Sequence, residues 1–178
     1  MIRHIDRVRP ETLAAQALHA LDAATGAVVP PIHLATTYAR DAAYQLVGPG
    51  YTRDENPTPV HAERVVAALE GGTAALAFSS GMAAATATFR ALCKPGDHVV
   101  APRVAYYALR NWLARWGARW GVAVDIVDTT DLAAVRAALR PTTRLVWVET
   151  PANPTWDVTD IAVVADLAHG AGALLAVD

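Results

Sequence analysis

A chain of 178 residues can form one domain with a substantial core, and a composition 53% hydrophobic and 18% charged suits a buried α/β sheet. A formal net charge of −2 offers no attraction to nucleic acid or an anionic membrane, and no apolar run reaches the roughly 20 residues that span a bilayer. One cysteine, Cys93, excludes an internal disulfide, and residues 1–11 lack the apolar core of a secretory signal, so a soluble cytoplasmic protein is expected.

The first part of the chain reads as an extended arm, residues 1–56. It has a helical patch over 11–21, a Pro- and Thr-containing extended stretch over 28–38, and the loop from Val47 to Pro57. Tyr51 and Arg53 lie in that loop. A guanidinium beside a phenol suits a phosphate, although a Tyr-x-Arg pair in a loop is more often only surface.

From Pro57 onward the pattern alternates. A helix is predicted over 57–70, with proline tolerated in its first turn and Gly71-Gly72 ending it. A short apolar strand is predicted over 74–78 and a helix over 81–92. Strand 98–101, helix 105–116, strand 122–127, helix 132–139, strand 143–149, helix 161–168 and strand 173–178 follow. Strands alternating with helices through short turns predict right-handed βαβ units and a mostly parallel sheet with helices on both faces. Strands without polar alternation predict burial on both faces. The sheet reads as incomplete, because the last strand ends at Asp178.

Several junctions carry chemistry. Ser79-Ser80-Gly81-Met82 joins a strand to a helix, where free backbone amides and the helix dipole favour an anion; the simpler reading is an ordinary serine N-cap. Tyr106 opens a helix and offers a ring for stacking on a planar cofactor. Trp112, Trp116 and Trp120, spaced by four, form a stripe that fits a core or a subunit contact better than a nucleic acid. Glu149-Thr150-Pro151-Ala152-Asn153-Pro154 ends an apolar strand, and Asn153 is placed either to present its amide to the crevice or simply to form a turn. Asp178 ends the last apolar strand, where ligands of open parallel sheets bind; an isolated Asp there more commonly caps a helix. His4, His19, His33, His61, His98 and His169 show no ligand spacing, so no metal site is expected. There is no Gly-x-Gly-x-x-Gly, Gly-Lys-Ser/Thr or Gly-x-Ser-x-Gly, which disfavours a nucleotide-binding domain and a serine hydrolase. Lys94, the only lysine, occupies a Pro-Gly turn.

Taken in order, Tyr51-x-Arg53 with Asn56-Pro57-Thr58, then Ser79-Ser80-Gly81-Met82, then Glu149-Thr150-Pro151-Ala152-Asn153-Pro154, then Ala176-Val177-Asp178, closely resemble the Cys/Met-metabolism enzymes that use pyridoxal 5′-phosphate (PLP). That family includes cystathionine γ-synthase, the cystathionine γ- and β-lyases, methionine γ-lyase and the O-acylhomoserine sulfhydrylases. The resemblance covers nearly all of this chain and about the first half of such an enzyme.

It implies a fold-type I, aminotransferase-like large domain, with residues 57–178 as its first part. It further implies that Ser80, Gly81 and Met82 bind the cofactor phosphate, and that Tyr51 and Arg53 reach a neighbouring subunit's phosphate in a homodimer or homotetramer. Tyr106 would stack on the ring and assist proton transfer, Asn153 would meet the phenolic oxygen, and Asp178 would pair with the ring nitrogen. The substrate implied is a sulfur amino acid or an acylated homoserine, with a cystathionine γ-synthase or γ-lyase activity favoured. The family usually follows the stacking tyrosine with Gly-Gly-Thr, where this chain has Tyr107-Ala108-Leu109. The Schiff-base lysine of the family lies in the half not covered here, and Lys94 does not replace it. These 178 residues alone are therefore expected to be inactive; the alternative is a non-catalytic remnant acting as a binding or oligomerisation module.

Overall fold

The computed structural model describes residues 8–178, so His4 and most of the N-terminal stretch read above for a secretory signal lie outside it. The chain divides into two compact units, one ending at Ala77 and the other spanning Phe78–Asp178.

In the first unit, helix α1 (Pro10–Gln16) starts on a proline and ends at Ala17 in the left-handed region, followed by a single 3-10 turn. The predicted helix to residue 21 is thus shorter. From Ala20 to Asn56 the backbone is irregular, with isolated antiparallel bridges joining Thr37 to Tyr51 and Arg40 to Leu46. Helix α2 (Pro57–Leu69) is started by Asn56, whose side chain accepts the Thr58 N–H at 2.9 Å. The Asn56 amide also donates to His33 O at 3.1 Å and to the Thr52 hydroxyl at 2.6 Å, pinning the arm's loop to the helix start.

The strand predicted over 74–78 does not form. No described strand runs in a ladder beside this stretch, and Leu76 is 75% exposed and Phe78 46% exposed. An apolar run becomes a strand only where a neighbour takes its N–H and C=O groups.

The second unit is a parallel sheet in the order β2-β1-β3-β4, with β1 at His98–Pro102, β2 at Ala123–Val127, β3 at Thr143–Val148 and β4 at Leu174–Val177. Helices α3 (Gly81–Leu92) and α4 (Tyr107–Trp120) cover one face; α5 (Leu132–Ala138) and α6 (Ile161–Gly170) cover the other. Alternating residues feed the two cores. Val99, Ala101, Leu145 and Trp147 pack with Phe89, Leu113 and Trp116 on the α3/α4 side, and Val100, Val146 and Val148 pack with Val135, Val164 and Ala168 on the other.

Burial on both faces holds for the central strands β1 and β3 but not for β2 and β4, whose residues are partly open because each is an edge. The tryptophan stripe splits in the same way. Trp112 and Trp116 stack at 5.0 Å against Phe89, whereas Trp120 is 56% exposed one turn further on.

Helix starts follow sequence chemistry: Ser80, Asp131 and Asp160 cap α3, α5 and α6 through their side-chain oxygens. Two glycines are needed by the geometry. Gly121 closes α4 in the left-handed region at φ 67°, and Gly117 lets α4 approach β2 closely, because a Cβ there would lie 2.7 Å from Val122 O. No described helix is long and apolar enough to cross a membrane.

Candidate active site

The carboxyl ends of the central strands open into a cavity of about 930 Å³ lined only by second-unit residues. An open parallel sheet places ligands at this edge, because backbone ends and helix N-termini converge there.

Three segments build it. The first is the start of α3. The Ser80 oxygen accepts the Ala83 N–H at 3.1 Å, so the plain capping reading is correct for that atom, while its hydroxyl hydrogen stays free to donate. The N–H groups of Gly81 and Met82 have no intrahelical acceptor, since they belong to the first turn, and both residues line the cavity. A Cβ on Gly81 would meet nothing within 4 Å beyond its chain neighbours and its own helix backbone, and its φ is not left-handed. The fold therefore does not demand glycine at this position; open space in front of the backbone is what glycine provides there. Free amides, a positive helix end and this clearance suit a phosphate.

The second segment is the start of α4. Tyr106 sits at the N-cap position with no side-chain cap of its own, and its ring is 49% exposed in the cavity wall. Tyr107 packs its ring edge-on at 5.0 Å, and repulsion from the Tyr107 phenolate charge, with a hydrogen bond that the Tyr106 O–H donates to Tyr107, holds the Tyr106 hydroxyl above its ordinary value of 10.

The third segment is the paired ends of β3 and β4. The Asp178 N–H donates to Val148 O at 2.9 Å and the Thr150 N–H to Asp178 O at 3.0 Å, which continues the parallel ladder and sets Asp178 beside Glu149. Both residues line the cavity, with Asn153 and Pro154 closing the wall after them. The Thr150 hydroxyl accepts the Thr159 N–H at 3.0 Å and the Trp156 N–H reaches Ala152 O at 2.7 Å, so the Asn153 loop is held by its own bonds.

The structure thus gathers Ser80, Gly81, Met82, Tyr106, Asn153 and Asp178 around one cavity. Tyr51 and Arg53 belong to the first unit and are not among its lining residues; there the Arg53 guanidinium lies 5.1 Å over the Tyr51 ring. Lys94 is exposed in the turn that enters β1, at the amino edge of the sheet and away from the cavity. Burial pushes the nearby Cys93 thiol up to about 11, so it stays protonated and unreactive.

Sequence reading passed over two contributors. Glu149 accepts the Tyr106 N–H on Oε2 at 2.9 Å, and Tyr107 adds a second phenol. Glu149 carries the same signal as Asp178, a lone carboxylate ending an apolar strand.

The donor set fits PLP: backbone amides at a helix start for the phosphate, an aromatic face, an amide and a carboxylate on one rim. A family model described as "Cys/Met metabolism PLP-dependent enzyme" matches residues 11–178. A cystathionine gamma-synthase of Mycobacterium tuberculosis is 44% identical over 170 residues, covering 95% of this chain and 44% of that protein. A cystathionine gamma-lyase of Bacillus subtilis is 42% identical over 157 residues, covering 88% of this chain and 41% of the relative. Among solved structures, metB from Corynebacterium glutamicum superposes with a TM-score of 0.92 at 42% identity, over 98% of this chain and 46% of that one. The chain spans less than half the length of these relatives.

Proposed function

The chain belongs to the Cys/Met-metabolism PLP-dependent enzymes, and from that membership we propose that the protein carrying it performs elimination or replacement on sulfur amino acids or acylated homoserines, as a cystathionine γ-synthase or γ-lyase. On this reading residues 1–56 are an arm and 57–178 the first part of the cofactor-binding domain. The protein would work in the cytoplasm as a homodimer or homotetramer with shared sites. Methionine γ-lyase, cystathionine β-lyase and O-acylhomoserine sulfhydrylase are the neighbouring subtypes.

The observation that supports the reading most is the placement of the α3 amino end and the Asp178 carboxylate on one cavity. PLP, when bound, supplies an electron sink for the carbanion formed on the amino-acid substrate. The chain's own residues do the rest. Gly81 and Met82 N–H groups, with the Ser80 hydroxyl, hold the phosphate. Tyr106 lays its ring against the cofactor face, and its hydroxyl, whose ionisation the neighbouring Tyr107 makes harder, is available to give a proton to a leaving group. The Asn153 amide donates to the phenolic oxygen. The Asp178 carboxylate keeps a proton on the ring nitrogen, so that the ring stays electron-poor. Tyr51 and Arg53 serve the phosphate of a neighbouring subunit.

Lys94, on the opposite edge of the sheet, supports a narrower reading of these 178 residues: a cradle that binds the cofactor and has no amine to attack with. A non-catalytic binding module is the second reading that this position favours.

The test is to supply PLP, an acylated homoserine and cysteine to the protein that carries this chain, and separately cystathionine, following cystathionine and 2-oxo-acid by chromatography. Replacement or γ-elimination is expected, insensitive to Lys94→Ala. Tight PLP binding with no product from any of these substrates would favour the binding module.

A further inference from the structure

Helix α4 starts without the usual equipment. Its N-cap residue, Tyr106, has no side-chain oxygen placed to cap, and its first turn contains no acidic residue. A carboxylate arrives instead from another element: Glu149, just beyond β3, accepts the Tyr106 N–H at 2.9 Å. Within a helix, a capping-box glutamate reaches back to the N-cap N–H in this way; here the glutamate comes across from the sheet. The bond is charge-assisted and lies at the positive end of the α4 dipole, which makes it stronger than an ordinary amide contact.

The residue it fixes is the one whose ring lines the cavity, and Glu149 itself stands beside Asp178 on the same rim. Tyr106 is half exposed, and among the described residues its one aromatic contact is Tyr107, so little side-chain packing surrounds its ring. The bond also leaves Glu149 committed to α4, and Asp178 as the rim carboxylate with no hydrogen-bond partner among the described residues.

We propose that Glu149 is a positioning residue that fixes the backbone at Tyr106, and so holds the Tyr106 ring where a planar cofactor stacks. This rests on the PLP reading of the cavity. Glu149 touches no reacting atom.

The experiment measures PLP affinity of the protein by tryptophan fluorescence, and the circular dichroism induced in bound PLP, in the wild type and in Glu149→Gln, Glu149→Asp, Glu149→Ala, Tyr106→Ala and the Glu149→Ala/Tyr106→Ala double variant. Loss of one charge-assisted bond predicts affinity about tenfold weaker in Glu149→Ala, with the induced signal reduced. Glu149→Gln keeps an acceptor of the same reach and should stay within about threefold of wild type. Glu149→Asp keeps charge and fold but draws the acceptor back by a methylene, and should resemble Glu149→Ala. The double variant should bind no worse than Tyr106→Ala, since both changes remove the same stacking contact. Glu149→Ala or Glu149→Asp with a lowered melting temperature but unchanged affinity and dichroism would overturn the proposal, leaving helix capping as the whole role. A wild type that binds no PLP would overturn the cofactor reading itself, a separate outcome read before any variant.

Discussion

Glu149 and Asp178 stand side by side at the ends of β3 and β4, paired through Asp178 N–H to Val148 O at 2.9 Å and Thr150 N–H to Asp178 O at 3.0 Å. Strand alternation places both with Trp147 and Ala176, on the face covered by α3 and α4, and both line the same cavity. Two neighbouring carboxylates repel unless each is occupied differently. Glu149 takes a backbone N–H, which leaves Asp178 for a positively charged partner.

The glycine at the start of α3 separates folding from binding. The methyl of Gly81→Ala meets nothing within 4 Å beyond its chain neighbours and its own helix backbone, and alanine favours a helix by up to about 1 kcal/mol, so the melting temperature should hold or rise. The same methyl intrudes on the space before the free amides, and PLP affinity should fall by about tenfold. Equal affinity in variant and wild type by fluorescence titration would show that no phosphate sits there.

Gly117 gives the opposite result. A Cβ there would lie 2.7 Å from Val122 O and 3.0 Å from a Val124 methyl, and backbone oxygen cannot swing aside. The helix-propensity gain of about 1 kcal/mol is outweighed by overpacking of about 1–3 kcal/mol, so Gly117→Ala should destabilise the chain in urea unfolding. A midpoint at or above that of the wild type would contradict the close approach of α4 to β2.

His98 makes stability depend on pH. It is fully buried, with Nδ1 2.8 Å from the Thr143 hydroxyl and Nε2 3.3 Å from Asp125, which in turn pairs with Arg140 at 2.5 Å. Desolvation, helped by Arg140 and opposed by Asp125, holds the imidazole below its ordinary value of 6.5. The unfolded chain therefore takes up the proton first as pH falls. Stability should be full above about pH 6.5 and decline below it, until the folded imidazole also protonates. Urea midpoints measured from pH 8 to pH 5 check this; a midpoint that rises on acidification would reverse the sign.

The neighbouring phenols should be separable by titration. Removing the hydroxyl in Tyr107→Phe takes away the principal cause of the raised Tyr106 value, so Tyr106 should ionise at lower pH in the variant. Carbon-13 NMR of labelled tyrosine follows it, and an unmoved Tyr106 titration would contradict the assignment.

Much of the second unit was readable in the sequence, because its signals are local. Gly81–Leu92 is bounded by a serine cap and a following Lys-Pro-Gly turn, and the apolar runs at His98–Pro102 and Thr143–Val148 are central strands buried on both faces. The 74–78 run was misread because strand formation depends on a neighbour and not on the run itself. Exposure of Ile126 on β2 escaped the sequence for a related reason: apolar composition does not say which strand is an edge. At the site, residues marked by strand-end or helix-start chemistry, such as Asp178 and Gly81, line one cavity. The bond from Glu149 to Tyr106 joins residues 43 apart in sequence, and no local pattern announces it.

The proposed function turns on Asp178, whose carboxylate is proposed to pair with the ring nitrogen of PLP in this cavity. The most direct measurement is the affinity of wild type and Asp178→Asn for PLP and for its analogue with carbon in place of the ring nitrogen. Loss of a charge-assisted hydrogen bond predicts PLP binding weaker by roughly ten- to a hundredfold in Asp178→Asn, and no change for the carbon analogue. Equal losses for both ligands, or no loss for either, would contradict the claim.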